Sequence, residues 1–274
     1  MLAALAFLLG SIVGSFLNVC ILRIPERLSI VHPRSRCPKC QEPIAAYDNV
    51  PVLSWLLLGG KCRNCKTPIS ALYPAVEFLT GLLFLACFLA FGLTVETAKW
   101  AVFSALMIVL TITDLRVRLL PDRVNLTGAI LGVAFSVAVP VGDGTAQWLA
   151  ARLFEFPPPG AVLSLMDALI GAIAGGGFLW LVAEGYFRIR GHEGMGRGDP
   201  KMMAMVGTFL GLKAVWLAIL GGALLGSLIG GGFILLRRKG SEYEVPFGTF
   251  LGTSALLTVF FGVRLMAWYT QRLL

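Results

Sequence analysis

Two aspartates lie where long apolar segments of the sequence give way to polar ones, and their positions suit acid–base chemistry. Asp114 ends one apolar segment, and Asp199 precedes another within the sequence Gly-Arg-Gly-Asp-Pro. Two carboxyl groups held close together share one proton, because like charges at short range cannot both be ionised. The ionised group can then take a proton from water while the protonated group polarises a carbonyl. Such a pair predicts aspartic-protease chemistry.

Each of these aspartates also fits an ordinary structural role. Asp199 is followed by a proline, so it suits the N-cap of a helix that has proline at its first position. Asp114 is close enough in sequence to Arg116 and Arg118 for a salt bridge. Asp122 lies between a proline and another apolar segment, and a helix start is the favoured interpretation there.

Four cysteines form two C-x-x-C pairs, Cys37 with Cys40 and Cys62 with Cys65, separated by 21 residues. Each pair can present two thiolates to one ion, and four thiolates are typical ligands of a tetrahedral zinc. Iron in a rubredoxin-like site is the alternative, since thiolates suit both metals. A four-thiolate site has no open position, so the expected role of zinc is to fold a loop that lacks its own core.

Composition indicates that membrane helices must position these residues. The 274-residue chain is 57% hydrophobic and only 14% charged, whereas soluble domains are about 25% charged. Its apolar residues come in long blocks, which predict an all-α polytopic membrane protein with about eight transmembrane helices. A cytoplasmic zinc-ribbon-like loop at 23–70 joins the first two, and we identify no internal repeat. The candidate spans are residues 1–22, 71–93, 100–115, 124–141, 162–187, 202–212, 214–236 and 247–267.

The distribution of Lys and Arg predicts the orientation in the membrane, because these residues concentrate in cytoplasmic loops. With the N-terminus outside, 18 of the 23 cations fall inside. We therefore expect both termini outside and the two aspartates facing the cytoplasm. The excess of Lys and Arg in cytoplasmic loops accounts for the net charge of +8, so this charge does not predict a nucleic-acid partner. The cations left outside are Lys99, Arg152, Lys213, Arg264 and Arg272.

Three further acids fall within predicted spans: Glu77, Asp167 and Glu184. Acids in a membrane pair with buried cations or line a pathway for ions, so an ion-coupled transporter is an alternative function. Against it, Asp114 and Asp199 lie at a membrane face rather than at the midplane, and the two halves of the chain do not repeat.

Several stretches resemble the type IV prepilin peptidases, which are GxGD aspartic proteases of the bacterial inner membrane. The resemblance extends over nearly the whole chain, with 127–190 least informative, and the combination of the aspartate stretches with the cysteine loop is specific. The matching stretches are GSFLNVCILRIP (14–25), CPKC (37–40), DNVPVLSWLLLGGKCRNCKTPIS (48–70), ALYPAVEFLTGLLF (71–84), DLRVRLLPDRVNL (114–126), GMGRGDPKMMA (194–204) and VPFGTFLG (245–252).

The resemblance implies a bifunctional enzyme. Members of this family remove basic leader peptides from type IV prepilins or pseudopilins at the cytoplasmic membrane face. Full-length members then methylate the new N-terminal residue with S-adenosylmethionine. The family's catalytic aspartates fall on Asp114 and Asp199. The methyltransferase activity is associated with the half that contains the cysteine loop, which this chain retains; a peptidase without methyltransferase activity is the alternative.

The resemblance also implies a division of the chain and a set of partners. Residues 1–98 hold the first two spans, the loop and the expected methyltransferase part, and residues 99–274 the peptidase. Glu77 is our candidate for the S-adenosylmethionine site, with an acid paired to a nearby arginine as the alternative. The expected partners are prepilin or pseudopilin substrates and the lipid bilayer. The sequence departs from the family at Arg197, Pro200 and Thr249, the last where proline is common.

Overall fold

Long apolar helices account for most of the chain. The computed structural model describes residues 1–153, 155–156, 158–232 and 246–273. A short 3₁₀ turn at Ala46–Asp48 precedes the second helix, and a π-helical turn at Gly226–Gly230 extends the eighth. The helices are α1 (Leu2–Arg23), α2 (Leu53–Leu57), α3 (Leu72–Phe91), α4 (Val95–Val117), α5 (Asp122–Ala138), α6 (Thr145–Leu153), α7 (Gly160–Arg190), α8 (Gly198–Leu225) and α9 (Phe247–Leu273).

The predicted all-α membrane architecture is confirmed. Six helices in the described ranges are long and apolar enough to cross a membrane: α1, α3, α4, α7, α8 with its π-helical turn, and α9. At 17 residues, α5 is at the short end of the lengths that span a bilayer. The predicted count of eight is approximate: the spans expected at 202–212 and 214–236 both fall in α8, which counts as one helix by length and composition but breaks at Gly211. Residues 233–236 of the second of these lie outside the described residues.

The chain divides into two units, Met1–Val109 and Leu110–Leu274. In the first unit, α1 and α3 are antiparallel neighbours that pack through small residues. A Cβ on Gly10 would lie 2.7 Å from Phe84 Cβ, and one on Gly14 would lie 2.7 Å from Glu77 Cα. Membrane helices associate closely through such glycines because no side chain separates the two backbones.

In the second unit, α8 reverses direction at Gly211. The φ of 77° and ψ of −175° at this glycine are not helical. A Cβ on Gly175 of α7 would be 2.7 Å from both Met203 O, before the break, and Val215 Cγ2, after it. Residues twelve apart in a straight helix would be about 18 Å apart, so the two halves of α8 must lie side by side.

The second half of α8 packs antiparallel to α9 and ends beside the start of that helix. A Cβ on Gly222 would lie 2.8 Å from Leu251 Cδ2, and the nearest atom to one on Gly226 would be Phe250 Cδ2, at 3.4 Å. The start of α9 and both ends of the α8 hairpin therefore lie at the same end of the second unit. We call this the aspartate end, because Asp114 and Asp199 are located there.

Candidate functional site

The two aspartates come from different helix ends and are both buried. Asp114 lies in the last turn of α4 with 6% of its surface exposed, and Asp199 lies in the first turn of α8 with 4% exposed. Burial of a charged carboxyl group is unfavourable unless it is paired or hydrogen-bonded. The helices thus hold two acids at a depth where both cannot remain ionised without compensation.

The start of α9 brings these two carboxyl groups into one site. A Cβ on Gly248 would lie 3.0 Å from Asp199 Oδ1 and 3.1 Å from Asp114 Oδ2. The two oxygens are therefore separated by no more than the sum of those two distances. The same Cβ would be 2.9 Å from Leu120 Cδ1. The place of a side chain at position 248 is occupied by the carboxyl groups and this leucine, so any larger residue would force these groups or the start of α9 to shift.

One oxygen of Asp114 accepts two hydrogen bonds from the first turn of α9. The backbone N–H of Thr249 donates to Asp114 Oδ2 at 2.7 Å, and the Thr249 hydroxyl donates to the same oxygen at 2.9 Å. The first backbone N–H groups of a helix have no partner within the helix and carry a partial positive charge. The start of α9 therefore provides both donors and a favourable field for the carboxylate.

The Gly-Arg-Gly-Asp segment forms the start of α8. The helix begins at Gly198 with Arg197 at the N-cap, so the interpretation of Asp199 as the N-cap is wrong. The backbone N–H of Asp199 donates to Gly196 O at 3.1 Å. A Cβ on Gly198 would lie 2.7 Å from Leu120 Cβ, and its absence lets the first turn of α8 approach the segment that follows α4.

Asp122 is separate from the buried pair. It begins α5, as its position after a proline predicts, and its side chain is largely exposed. Both of its carboxylate oxygens accept hydrogen bonds from Lys201 Nζ, at 2.8 and 2.9 Å. An exposed ion pair of this kind contributes about 0–1 kcal/mol to stability. Asp122 is therefore paired with Lys201 at the surface and is not part of the buried pair of acids.

Two nearly identical turns build the cysteine cluster. In the first, the N–H of Cys37 donates to Glu42 O and that of Gln41 donates to Cys37 O. In the second, the N–H of Cys62 donates to Thr67 O and that of Lys66 donates to Cys62 O. Arg36 and Lys61, the residues before each pair, form isolated β-bridges to Pro43 and Pro68.

The four sulfur atoms fit a tetrahedral metal. All lie within 4.8 Å of one another, with Cys37 Sγ 3.7 Å from Cys65 Sγ and Cys40 Sγ 4.0 Å from Cys62 Sγ. A zinc–sulfur distance of about 2.3 Å gives a sulfur–sulfur edge of about 3.8 Å in a regular tetrahedron. The donor set and its dimensions therefore match zinc, and thiolate-bound iron has the same ligand type.

Hydrogen bonding within the turns favours the thiolate form of two of the ligands. Bonds from the backbone N–H groups of Cys40 and Lys39 lower the pKa of the Cys37 thiol. The side chain and then the backbone of Thr67 lower the pKa of Cys65 to about 6. For Cys40, the backbone bond from Glu42 lowers the pKa, but burial and the other three thiols outweigh it and raise the pKa to about 11. Since only the thiolate binds a metal, Cys37 and Cys65 are the ligands that these turns prepare for an ion.

An ion pair joins the second turn to the middle of the loop. Arg63 Nε lies 2.7 Å from Asp48 Oδ2, and its Nη2 lies 2.5 Å from Asp48 Oδ1. This two-point contact with Arg63 lowers the pKa of Asp48. The guanidinium also lies 5.5 Å from the centre of the Tyr47 ring. Thus the 3₁₀ turn before α2 is attached to the cysteine cluster.

Glu77, the candidate for the methyl-donor site, contacts the loop. Its Oε2 accepts a hydrogen bond of 2.8 Å from the backbone N–H of Val52, the residue before α2. Val52 has a φ of 61°, which is unusual for a β-branched residue. Glu77 therefore connects α3 to the loop at a position of backbone strain, and this contact differs from the arginine pairing considered above.

The other two acids of the predicted spans also have local partners. Asp167 Oδ1 accepts a hydrogen bond of 2.7 Å from the backbone N–H of Ala146 at the start of α6. Glu184 pairs with Arg188 on the next turn of α7, at 2.8 Å. Each of these two acids thus has a structural partner, a backbone N–H for Asp167 and an arginine for Glu184.

Two features of the site escaped the sequence analysis. Gly248 and Thr249 belong to the stretch VPFGTFLG, which was noted only for its resemblance to the family, and nothing in that stretch indicates contact with the aspartates. The statement that the chain has no internal repeat is wrong for the loop, where residues 36–44 (RCPKCQEPI) and 61–69 (KCRNCKTPI) share the pattern [RK]-C-x-x-C-x-x-P-I. That repeat predicts the paired turns.

Two family models match the chain. The bacterial peptidase A24 N-terminal domain matches residues 8–91, and the type IV leader peptidase family matches residues 101–231. Three relatives are named prepilin leader peptidase/N-methyltransferase. The protein from Aeromonas hydrophila is 34% identical over 99% of this chain and 94% of its own length. That from Bacillus subtilis is 31% identical over 98% of each chain, and that from Neisseria gonorrhoeae is 34% identical over 91% and 87%. No solved structure matches.

Proposed function

Because this chain belongs to the type IV leader peptidase family, we propose that it removes the leader from type IV prepilins or pseudopilins and then N-methylates the new N-terminal residue. The observation that carries the peptidase activity is the buried pair of Asp114 and Asp199 beside Gly248. Their carboxyl oxygens are close enough to act on one peptide group, and their burial favours a single shared proton.

Hydrolysis by this pair needs no group from outside except water. The ionised aspartate takes a proton from water while the water oxygen bonds to the carbonyl carbon at the cleavage site. The protonated aspartate donates its proton to the carbonyl oxygen. When the resulting diol collapses, the carbon–nitrogen bond breaks and the aspartate protonated by water gives its proton to the leaving amine. The other aspartate takes a proton from a diol hydroxyl as the new carboxyl group forms, so the pair again holds one proton.

The cysteine cluster supports a further proposal, one structural zinc per chain bound by Cys37, Cys40, Cys62 and Cys65. A bound zinc would cross-link the two turns and, with four protein ligands, would have no open position for a substrate. Its contribution would therefore be to the folding of residues 23–70. The exposed apolar and basic composition of this loop is consistent with a segment that cannot form a hydrophobic core by itself.

For the methyltransferase activity we propose S-adenosylmethionine as the donor and Glu77 as part of its site, in the region of residues 1–98. The new N-terminal amine takes up the donor's methyl group and loses a proton. A carboxylate suits either the positively charged donor or the substrate amine. The hydrogen bond from Val52 gives Glu77 a second role, since it would hold the loop next to whatever binds at this carboxylate.

The family and the membrane helices support a location in the bacterial inner membrane. On the distribution of cations we propose that both termini face outward and that the aspartate end faces the cytoplasm. Residues 99–274 would then carry the peptidase, with both aspartates in them. This arrangement would place the aspartates at the face where prepilins begin to cross the membrane.

The alternatives differ in their support. A peptidase without methyltransferase activity would leave the cysteine loop a purely structural role. An ion-coupled transporter is disfavoured because Glu77, Asp167 and Glu184 each have a local partner at a helix end or in a nearby loop. A relay of ions instead needs acids that line a common pathway.

Mass spectrometry of a prepilin co-expressed with this protein tests the proposed function. Loss of the leader mass reports cleavage, and an added methyl mass on the mature N-terminus reports methylation. Cleavage without methylation would favour the peptidase-only alternative, and an unprocessed prepilin would contradict the proposal. A prepilin expressed without the enzyme is the control for cleavage by the host.

A further inference from the structure

Thr249 makes an unusual contact for a side chain at the start of a membrane helix. Its backbone N–H and its hydroxyl both donate to the same oxygen of Asp114, at 2.7 and 2.9 Å. We infer that Thr249 is a positioning residue for the peptidase, which holds Asp114 as the ionised member of the pair and leaves the shared proton to Asp199. This inference rests on the proposed peptidase function.

The geometry restricts where the proton can be. A backbone N–H can only donate, so Asp114 Oδ2 must accept at 2.7 Å. A carboxylate oxygen that accepts two bonds is stabilised in its ionised form, because such charge-assisted bonds are stronger than bonds between neutral groups. Asp199 Oδ1 would lie 3.0 Å from a Cβ at position 248, and Asp199 is the remaining acid of the pair that can carry the proton.

The hydroxyl of Thr249 has one proton and two acceptors within reach. It lies 2.9 Å from Asp114 Oδ2 and 3.3 Å from the backbone carbonyl of Thr111. The shorter distance and the charge of the carboxylate favour Asp114. Thr111 lies about one helical turn before Asp114 in α4. The Thr249 hydroxyl, close to both residues, therefore holds the start of α9 against the end of α4.

This contact should affect the chemical step rather than substrate binding. The hydrogen bonds from Thr249 end on Asp114 Oδ2, an oxygen of the carboxylate that would take a proton from water. If the hydroxyl is lost, the backbone N–H still holds Oδ2, but the orientation and charge of the carboxylate are less well fixed. A general base that is misplaced lowers the rate of the step it catalyses and leaves the affinity for substrate unchanged.

The first test is steady-state kinetics of the purified full-length chain on a prepilin substrate. Thr249→Val keeps the shape and removes the hydroxyl, and it should lower kcat about tenfold to a hundredfold with KM within about twofold. Thr249→Ser restores the hydroxyl and should recover most of kcat. Thr253→Val is the matched control, because that hydroxyl lies one turn along α9, bonds the backbone carbonyl of Thr249 at 2.8 Å and is exposed.

Three kinetic results would overturn the inference: an unchanged kcat in Thr249→Val, an equal loss in Thr253→Val, or a large loss of kcat in Thr249→Ser relative to the wild type. The last comparison holds even if the valine variant folds poorly, since the serine variant is judged against the wild type. A wild-type protein that leaves prepilin uncleaved would instead contradict the proposed function.

Infrared difference spectroscopy tests the placement of the proton independently of activity. At neutral pH, Asp199→Asn should remove a protonated-carboxyl band from the spectrum, whereas Asp114→Asn should remove carboxylate bands. Thr249→Val should shift the carboxylate bands assigned to Asp114, and Thr253→Val should leave them unchanged. The opposite assignment of the two bands would show that Asp114 carries the proton and would overturn the inference.

Discussion

Gly248→Ala is a small change that tests the geometry of the site directly. The added methyl carbon would lie 3.0 Å from Asp199 Oδ1, 3.1 Å from Asp114 Oδ2 and 2.9 Å from Leu120 Cδ1. Ordinary contacts of such atoms are about 3.5 Å or longer. The start of α9, the leucine or the carboxyl groups must therefore move apart by several tenths of an ångström.

That displacement should be costly for catalysis and tolerable for folding. A misplacement of 1 Å can lower the rate of a catalysed step about 100-fold, so a shift of about half that size should lower kcat roughly tenfold. Alanine is a better helix former than glycine by about 1 kcal/mol, which offsets part of the cost of the crowded contacts. We therefore expect a folded protein with a low kcat.

The assay is cleavage of a prepilin substrate by purified variants, with kcat and KM measured separately and thermal unfolding recorded for each. Gly185→Ala on α7 is the matched control, because a Cβ there meets no atom within 4 Å. If Gly248→Ala cleaves with the kcat of the wild type, α9 does not approach the two aspartates as closely as described, and the reasoning is refuted.

Three further predictions concern the loop, the methyl donor and the membrane orientation. Elemental analysis should find one zinc per chain, lost in Cys62→Ser and kept in Cys20→Ala, whose cysteine is buried in α1; folded, active protein without zinc would contradict this. Glu77→Gln keeps an acceptor for Val52 and removes the charge, so it should lower methylation and leave cleavage intact. Normal methylation in Glu77→Gln but not in Glu77→Ala would reduce Glu77 to a contact that holds the loop. A cysteine at Gln147 should react with an impermeant reagent from outside the cell and one at Arg190 should not; the reverse would invert the proposed topology.

Hydropathy predicted where helices occur but not where they end. The span expected at 71–93 corresponds to α3 (Leu72–Phe91), whereas that expected at 100–115 is the apolar part of α4 (Val95–Val117). Apolar residues mark the thickness of the hydrocarbon region, and a helix continues beyond it wherever its backbone hydrogen bonds do. The helix α6, nine residues long, was not predicted.

The turn within α8 shows a limit of a different kind. The short apolar segment at 202–212 suggested a separate helix of its own. The sequence could not show that one residue, Gly211, makes the whole reversal, because this depends on a φ of 77°. It also depends on the Asp143 carboxylate, which accepts a hydrogen bond of 3.0 Å from the N–H of Lys213, 70 positions away in the sequence.

For the site, residue types were more informative than positions. A shared membrane depth was enough to predict that Asp114 and Asp199 meet, although 85 positions separate them. The contacts of Gly248 and Thr249 could not be predicted, since they depend on how the start of α9 packs against both carboxyl groups. The structural role of Val52 as the donor to Glu77 likewise depends on the path of the loop.

The central claim is that Asp114 and Asp199 act as one catalytic unit, and mass spectrometry of co-expressed prepilin measures it most directly. Asp114→Asn, Asp199→Asn and the double variant should all leave the leader uncleaved to about the same extent, because residues that act together are not additive. Asp122→Asn, which loses only an exposed ion pair with Lys201, should retain substantial cleavage. Cleavage by Asp114→Asn together with none by Asp122→Asn would show that the first aspartate is misassigned, and cleavage by both single variants of the pair would contradict the aspartic mechanism.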